Sequence, residues 1–372
     1  MNRIRMFDYQ AQYATLKDEI LAAVQTVLAS GQLILGPEGK AFEEEFAAFL
    51  GGSGACVGVN SGTDALVVAL MALGVGHGDE VITVANTAVP TVSAIRAVGA
   101  IPVFCDVEES TCLMDLTQVP GCITQKTRAV IPVHLFGNVV DVPRLKSLLA
   151  GRQIRIIEDC AQCHGATLRG AMAGTFGDIS AFSFYPTKNL GAYGDAGLCW
   201  SADAALVADM RRIRMYGFEG RYYAEREGIN SRLDEVQAAI LRVKLRHLHG
   251  WISRRRALAA LYDRHLPTAA LPVRAASGVE HAYHLYVVKV ARRDDVREEL
   301  RQRDVETGIH YPFPIHRMKA YEFLGCREGR FPVTERLSQC ILSLPMYPEL
   351  PPECVEMVCF ELGHVLALEA KA

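Results

Sequence analysis

No window of this 372-residue chain approaches the run of about 18 apolar residues that a membrane-spanning helix needs. Its opening residues, MNRIRMFDYQAQY, hold no apolar core followed by a small-residue cleavage site, so no secretory signal is expected and a cytoplasmic location is. Strong charge is missing too. The 39 Lys and Arg residues against 42 Asp and Glu leave a formal net charge of −3, with the signs interspersed. Such a balance argues against nucleic acid or an anionic membrane as partner. The only compact basic run, Arg254-Arg255-Arg256, follows a helix-like segment and is expected to be a solvated face. GGSGACVG misses the G-x-G-x-x-G spacing, which weakens the case for a dinucleotide cofactor. Internal repeats and low-complexity stretches are absent as well.

What the chain does have is cysteine, 11 of them. Within EDCAQCH, the spacing Cys160-x-x-Cys163-His164 is that of covalent c-type haem attachment, and a bare C-x-x-C also suits a redox pair or half of a zinc site. Haem attachment of this kind goes with export, and no export signal is present. No second Cys/His pair stands at ligand spacing, so no metal is expected. The cysteines are odd in number and scattered through apolar runs such as VFCDV and GLCW. They read as small buried hydrophobes in a reducing compartment.

The chain length suits two domains, and a composition that is half hydrophobic supports a large core. The first half alternates helix-like with strand-like segments. FEEEFAAFLG has helical spacing and ends in glycine; ACVGV is a short buried strand. NSGTDALVVALMALGVG opens with capping residues, continues as an apolar helix and stops near Gly74. Strands then follow at DEVITVA, IPVFCDV, RAVIPVHLFG, IRIIED, ISAFSF and AGLCWS, with helices at PTVSAIRAVGA and VPRLKSLLAG. Short apolar strands separated by helices predict an α/β fold with a mostly parallel sheet covered on both faces. After a long helical tract, AYHLYVVKV alternates as a half-exposed strand. The pattern predicts a large domain over residues 1–245 and a smaller α+β domain over 246–372.

Ligands of open α/β sheets gather at the carboxyl ends of strands, and four segments placed there carry chemistry. Asn60-Ser61-Gly62-Thr63-Asp64 opens an apolar helix, where small residues let backbone N–H groups approach an anion; an ordinary N-cap explains it equally well. Glu158-Asp159 closes an apolar strand. One carboxylate there could pair with a cationic ring nitrogen, and Gln162 could bond a neighbouring oxygen, unless the Asp merely caps the next turn. Lys188 sits between a strand and a glycine-rich loop, in a largely uncharged segment. A desolvated lysine amine is a nucleophile suited to Schiff-base chemistry, although most loop lysines are simply solvated. In INSRLDEVQAAIL, Asn230 and Ser231 could cap a helix and Arg232 could pair with Asp234.

Taken in order, these segments resemble the DegT/DnrJ-type nucleotide-sugar aminotransferases. The likeness runs through LGPEGKAFEEEFA, VNSGTDAL, GDEVITV, AIPVFCDV, PVHLFGN, IIEDCAQCHGA, FSFYPTKNLGAYGDAG, INSRLDEVQAAIL, GIHYPFPIH and LSLPMYP, nearly the whole chain. The resemblance implies the aspartate aminotransferase type of fold and pyridoxal 5'-phosphate (PLP), with pyridoxamine phosphate as its second form. It makes Lys188 the Schiff-base residue and the base for the proton shift. Asp159 would pair with the pyridinium nitrogen and Gln162 contact the phenolic oxygen. Gly62, Thr63 and Ser183 would hold the phosphate, and Asn230 would reach a phosphate in the neighbouring subunit of a homodimer. The implied reaction is ping-pong transfer of an amino group, with glutamate as donor, to a keto group of a nucleotide-linked deoxysugar.

MYGFEGRYYAEREGINSRLDE, with Tyr222 and Tyr223, looks most like members acting on a dTDP-3-keto-6-deoxyhexose. A 4-keto substrate, another PLP reaction type and a non-catalytic regulator are the alternatives. The last lacks any helix-turn-helix or basic surface in its support. Lysine at position 188, where dehydrating relatives carry histidine, favours transamination. Tyr185, Tyr311 and His316 are candidate sugar or diphosphate contacts. One departure stands out: many relatives place an aromatic that stacks on the cofactor where this chain has Ala88. His164 could orient neighbours or simply pack.

Overall fold

The computed structural model describes residues 3–220 and 222–369. Helices α1 (Tyr9–Ser30) and α2 (Pro37–Phe49) lead to strand β1 (Ala55–Val59). There follow α3 (Gly62–Ala72), β2 (Glu80–Val84), α4 (Val89–Ala97) and β3 (Ile101–Cys105). A short α5 (Val119–Cys122), β4 (Thr127–Val130), α6 (Val142–Leu148) and β5 (Arg155–Asp159) come next. A small hairpin, β6 (Thr167–Leu168) and β7 (Ala171–Met172), precedes β8 (Ile179–Ser183) and β9 (Gly197–Ser201).

These strands build a seven-stranded sheet of order β1-β9-β8-β5-β4-β2-β3. Neighbours from β3 across to β8 are parallel; β9 runs against both β8 and β1. The predicted mostly parallel sheet is therefore present, with β9 as its reversed member. Both faces are covered. Phe42, Phe46, Phe182, Phe184, Trp200 and Leu241 pack on one side. Val57, Leu66, Ile95, Ile157, Ile179 and Met210 pack on the other. Double coverage explains why β8 and β9 are buried at every position rather than alternately.

Helix α7 (Ala204–Ile213) follows β9, and the long helical tract is in fact two helices, α8 (Glu235–Leu245) and α9 (Leu248–His265). Beyond it lie β10 (Leu271–Pro272), β11 (Val279–Glu280), β12 (Tyr286–Lys289), α10 (Arg293–Gln302), α11 (Pro332–Cys340), β13 (Ile341–Leu344) and α12 (Pro352–Glu369). Strands β10, β12 and β13 form an antiparallel sheet. Its core joins Leu258 and Tyr262 of α9 to Val288, Val296, Leu342 and Leu362.

The basic run does not form a solvated face. Arg254 is exposed, but Arg255 is 2% exposed and its Nη1 donates to the carbonyls of Tyr283 (3.0 Å) and Met346 (2.9 Å). A buried guanidinium is tolerated here because loop carbonyls, which no strand partner satisfies, need its donors. Arg255 thus straps α9 to two loops of the smaller sheet.

Candidate active site

The parallel strands deliver their carboxyl ends to one cavity of about 220 Å³. Gly62, Thr63, Asp159, Gln162, Ser183 and Lys188 all line it, as does Tyr185. Asp159 is the last residue of β5 and is 5% exposed. Its Oδ2 accepts from Thr91 Oγ1 at 2.8 Å, and its Oδ1 accepts from the Ala161 N–H at 3.2 Å. Burial raises the carboxyl pKa, while those two bonds and the nearby Lys188 charge oppose the rise.

Lys188 follows β8 in a tight turn, its N–H donating to the Tyr185 carbonyl at 2.8 Å. The loop closes so sharply that a Cβ on Gly191 would lie 2.3 Å from the Pro186 carbonyl. Asn189 Nδ2 pins it to the Ala282 carbonyl at 3.0 Å. Burial lowers the Lys188 pKa from the ordinary 10.5 to about 8, with Asp159 pulling the other way. This is a lysine tuned toward the free amine.

At the other end of the cavity, Ser61 caps α3 by accepting from the Asp64 N–H at 3.1 Å. The first N–H groups of a helix have no intrahelical acceptor, so those of Gly62 and Thr63 offer an anion site backed by the helix dipole. A Cβ on Gly62 would sit 2.4 Å from Ser183 Cβ, so only glycine lets the helix start approach the end of β8. Gln162 is held from both sides. Its Oε1 accepts from the Phe136 N–H at 2.7 Å, and its Nε2 donates to Tyr311 Oη at 3.0 Å. Tyr311 thereby joins the site.

Three sequence expectations change. The side chain of His316 is wholly buried against Glu335 (3.0 Å) and the Phe331 ring, and it does not line the cavity. Its Nε2 is taken by Glu335 of α11, while its buried Nδ1 has no hydrogen-bond partner among the described residues. Asn230 and Ser231 do not cap α8, which starts at Glu235 after Asp234. Instead Ser231 Oγ donates to Asp64 Oδ2 at 2.7 Å, which ties this loop to α3 and leaves Asn230 exposed and outside the cavity lining. Arg232 Nη1 contacts Met215 Sδ at 3.8 Å rather than pairing with Asp234. Ala88 does line the cavity, as the N-cap residue of α4, beside Val133.

Sequence reasoning missed Thr87 and Thr91, both buried and both on the cavity wall. Their i, i+4 spacing across a helix start was the available signal.

His134, Cys160 and Cys163 offer donor atoms within 4.8 Å of one another. However, His134 Nδ1 accepts from the Val140 N–H at 3.0 Å, so its proton is on Nε2 and goes to Glu158 Oε2 at 2.8 Å. Both ring nitrogens are committed, and burial pushes both thiols up, away from the thiolate a metal would need. Glu158 also accepts from the N–H groups of Gly174, Phe176 and Gly177, an internal brace rather than a ligand. His164 is buried between Phe182 and Phe184, and burial lowers its pKa to about 3, which keeps it neutral.

A lysine whose pKa is lowered by burial, a buried carboxylate and a helix N-terminus thus converge on one cavity. They complement an aldehyde, a cationic ring nitrogen and a phosphate, three of the polar features of PLP, and Gln162 stands ready for the fourth, the phenolic oxygen, so the residues present fit that cofactor. The model of the DegT/DnrJ/EryC1/StrS aminotransferase family matches residues 14–362. The chain belongs to this family. A DegT/DnrJ/EryC1/StrS relative from Micromonospora megalomicea subsp. nigra, the dTDP-3-amino-3,4,6-trideoxy-alpha-D-glucose transaminase, is 47% identical, with 97% of this chain and 98% of the relative covered. The transaminase of the same name from Streptomyces venezuelae is 44% identical, over 94% of this chain and 92% of the relative. The crystal structure of S. venezuelae DesV in complex with a ketimine intermediate superposes with a TM-score of 0.95 at 41% identity, covering 98% of both chains. The α/β fold of this family, with its mostly parallel sheet, is the one expected from the sequence.

Proposed function

We propose that this member of the family is a PLP-dependent aminotransferase that moves an amino group from glutamate to the 3-keto group of a dTDP-linked 6-deoxyhexose. The observation that carries the reading is the convergence of Lys188 and Asp159 on the cavity headed by the α3 N-terminus. When bound, PLP supplies an aldehyde for amine capture and an electron-withdrawing ring that stabilises charge on the carbon losing a proton.

Each residue then has a task. Lys188 Nζ would hold the cofactor and, once free, move a proton at the substrate carbon; the burial that lowers its pKa favours the free amine this needs. Asp159 keeps the ring nitrogen protonated. Gln162, its carbonyl occupied by Phe136 and one amide N–H by Tyr311, presents the other N–H toward the phenolic oxygen. Gly62, Thr63 and Ser183 bind the phosphate. Exposed Asn230, anchored beside α3 through Ser231, reaches the phosphate held by a partner subunit in a homodimer. Tyr185, exposed at the cavity mouth, and Tyr311 contact the sugar nucleotide.

Residues 1–245 form the large domain and 246–372 the smaller one, of which positions 1, 2, 221 and 370–372 lie outside the described residues. The bridge from Ile4 to Val305 ties the start of the first to the second. Among the described residues no helix is long and apolar enough to cross a membrane, and we assign the enzyme to the cytoplasm.

The test is spectroscopic. Holoenzyme should show a visible band that glutamate bleaches and that a keto sugar nucleotide restores. Among dTDP-, UDP- and GDP-linked 3- and 4-keto sugars, a dTDP-3-keto-6-deoxyhexose should restore it fastest. A band insensitive to glutamate, or full turnover by Lys188→Ala, refutes the reading.

A further inference from the structure

Asp159 does not stand alone at the end of β5. Thr91 Oγ1 lies 2.8 Å from Asp159 Oδ2, and Thr87 Oγ1 lies 2.9 Å from Thr91 Oγ1. Both threonines are buried, at 1% and 2% exposure, and both line the cavity. The direction of this chain follows from proton counting. Thr91 has one hydroxyl proton, and the carboxylate can only accept, so that proton goes to Asp159. Thr87 must then donate to Thr91. Two hydroxyls in series point their dipoles at a single carboxylate oxygen, and each polarises the next.

The geometry has two effects. It opposes the burial that raises the Asp159 pKa, because hydrogen bonds to a carboxylate favour its charged form. It also fixes the carboxylate plane. With Oδ2 taken by Thr91 and Oδ1 by the Ala161 N–H, the remaining lone pairs are aimed by α4 and the turn after β5. The helix that supplies Thr91 is itself set by Pro90 in its first turn and by Val92 packing against Ile315 and Phe331.

We propose that Thr91, backed by Thr87, is the positioning residue that keeps Asp159 ionised and aims it at the cofactor's ring nitrogen. The proposal rests on the reading of Asp159 given above and adds the hydroxyl relay that sustains it. Thr91 acts only through Asp159 and touches no reacting atom.

The test compares the dissociation constant of full-length, cofactor-stripped protein for PLP with that for 1-deazapyridoxal phosphate, in which C–H replaces the ring nitrogen. The wild type should prefer PLP at least about tenfold, since only the nitrogen can pair with the carboxylate. Thr91→Val is nearly isosteric and removes the donor; the preference should fall about fivefold or more. Thr91→Ser should restore it. A merely structural role for Thr91 would weaken both ligands alike and leave the ratio unchanged, which overturns the proposal if Asp159→Asn still abolishes the preference. An unchanged ratio in Asp159→Asn as well would overturn the pairing of Asp159 with the ring nitrogen itself. Should Thr91→Val fail to fold, Thr87→Val, which removes only the outer donor, should lower the ratio in the same direction; no shift there also overturns the relay.

Discussion

The lowered pKa of Lys188 predicts how the amine reacts before any cofactor is bound. At pH 7 a lysine with a pKa of about 8 is roughly one-tenth free amine. An ordinary lysine at 10.5 is about 0.03% free amine, so the cavity supplies about 300-fold more nucleophile at the same pH. Cofactor-free protein treated with pyruvate and cyanoborohydride should therefore be alkylated at Lys188 well before its solvent-exposed lysine side chains, read by mass spectrometry of the peptides carrying them. The rate at this residue should climb tenfold per pH unit and flatten near pH 8. The sign of one substitution is also set. Asp159 holds the ammonium form in place, so Asp159→Asn should move the flattening to lower pH. A Lys188 rate that keeps rising past pH 10, or a shift upward in Asp159→Asn, would refute the argument from burial and charge.

Three further outcomes follow from the packing. The double substitution Cys160→Ala, Cys163→Ala should leave PLP affinity within about threefold of the wild type by titration, because these thiols are buried filler behind the Asp159 turn and cost at most a kilocalorie-scale cavity. Arg255→Ala strips the donors from the Tyr283 and Met346 carbonyls and should destabilise by roughly 2–4 kcal/mol, about 3–5 °C in a thermal melt. Mixed dimers of Lys188→Ala and Asn230→Ala subunits should regain turnover that neither homodimer shows, since one of their two sites then has both native residues; no gain on mixing would place Asn230 outside the partner's site.

Much of the large sheet was legible because its signals are local. Ser61 before an apolar run announces α3, and the unbroken apolar strands ISAFS and GLCWS announce burial on both faces. Asp159 was legible for a related reason: a charge ending an apolar strand is costly without a task. Lys188, in the turn beyond β8, drew its expected role from the family resemblance rather than from its own position. Other assignments failed where the deciding partner is remote in sequence. Arg255 looks like one of three solvated arginines until the carbonyls of Tyr283 and Met346, from the loops before β12 and after β13, come to meet it. His316 sits in a polar loop like a ligand contact, yet Glu335 and Phe331 enclose it. Ser231 resembles a helix cap, but its acceptor is Asp64.

Sequence alone therefore determined the alternation of elements and the sheet class, which depend on neighbours within a few residues; the expected roles of Lys188 and Asp159 rested on the whole run of family motifs. Tertiary structure decided how that pair is tuned. Asp159 meets Thr91 across 68 residues, and Gln162 meets Tyr311 across 149. Thr91 reaches Asp159 because parallel strands β2 and β5 bring their carboxyl ends to a common edge, and Tyr311 arrives on the loop after α10; no local pattern encodes which hydroxyl will come there.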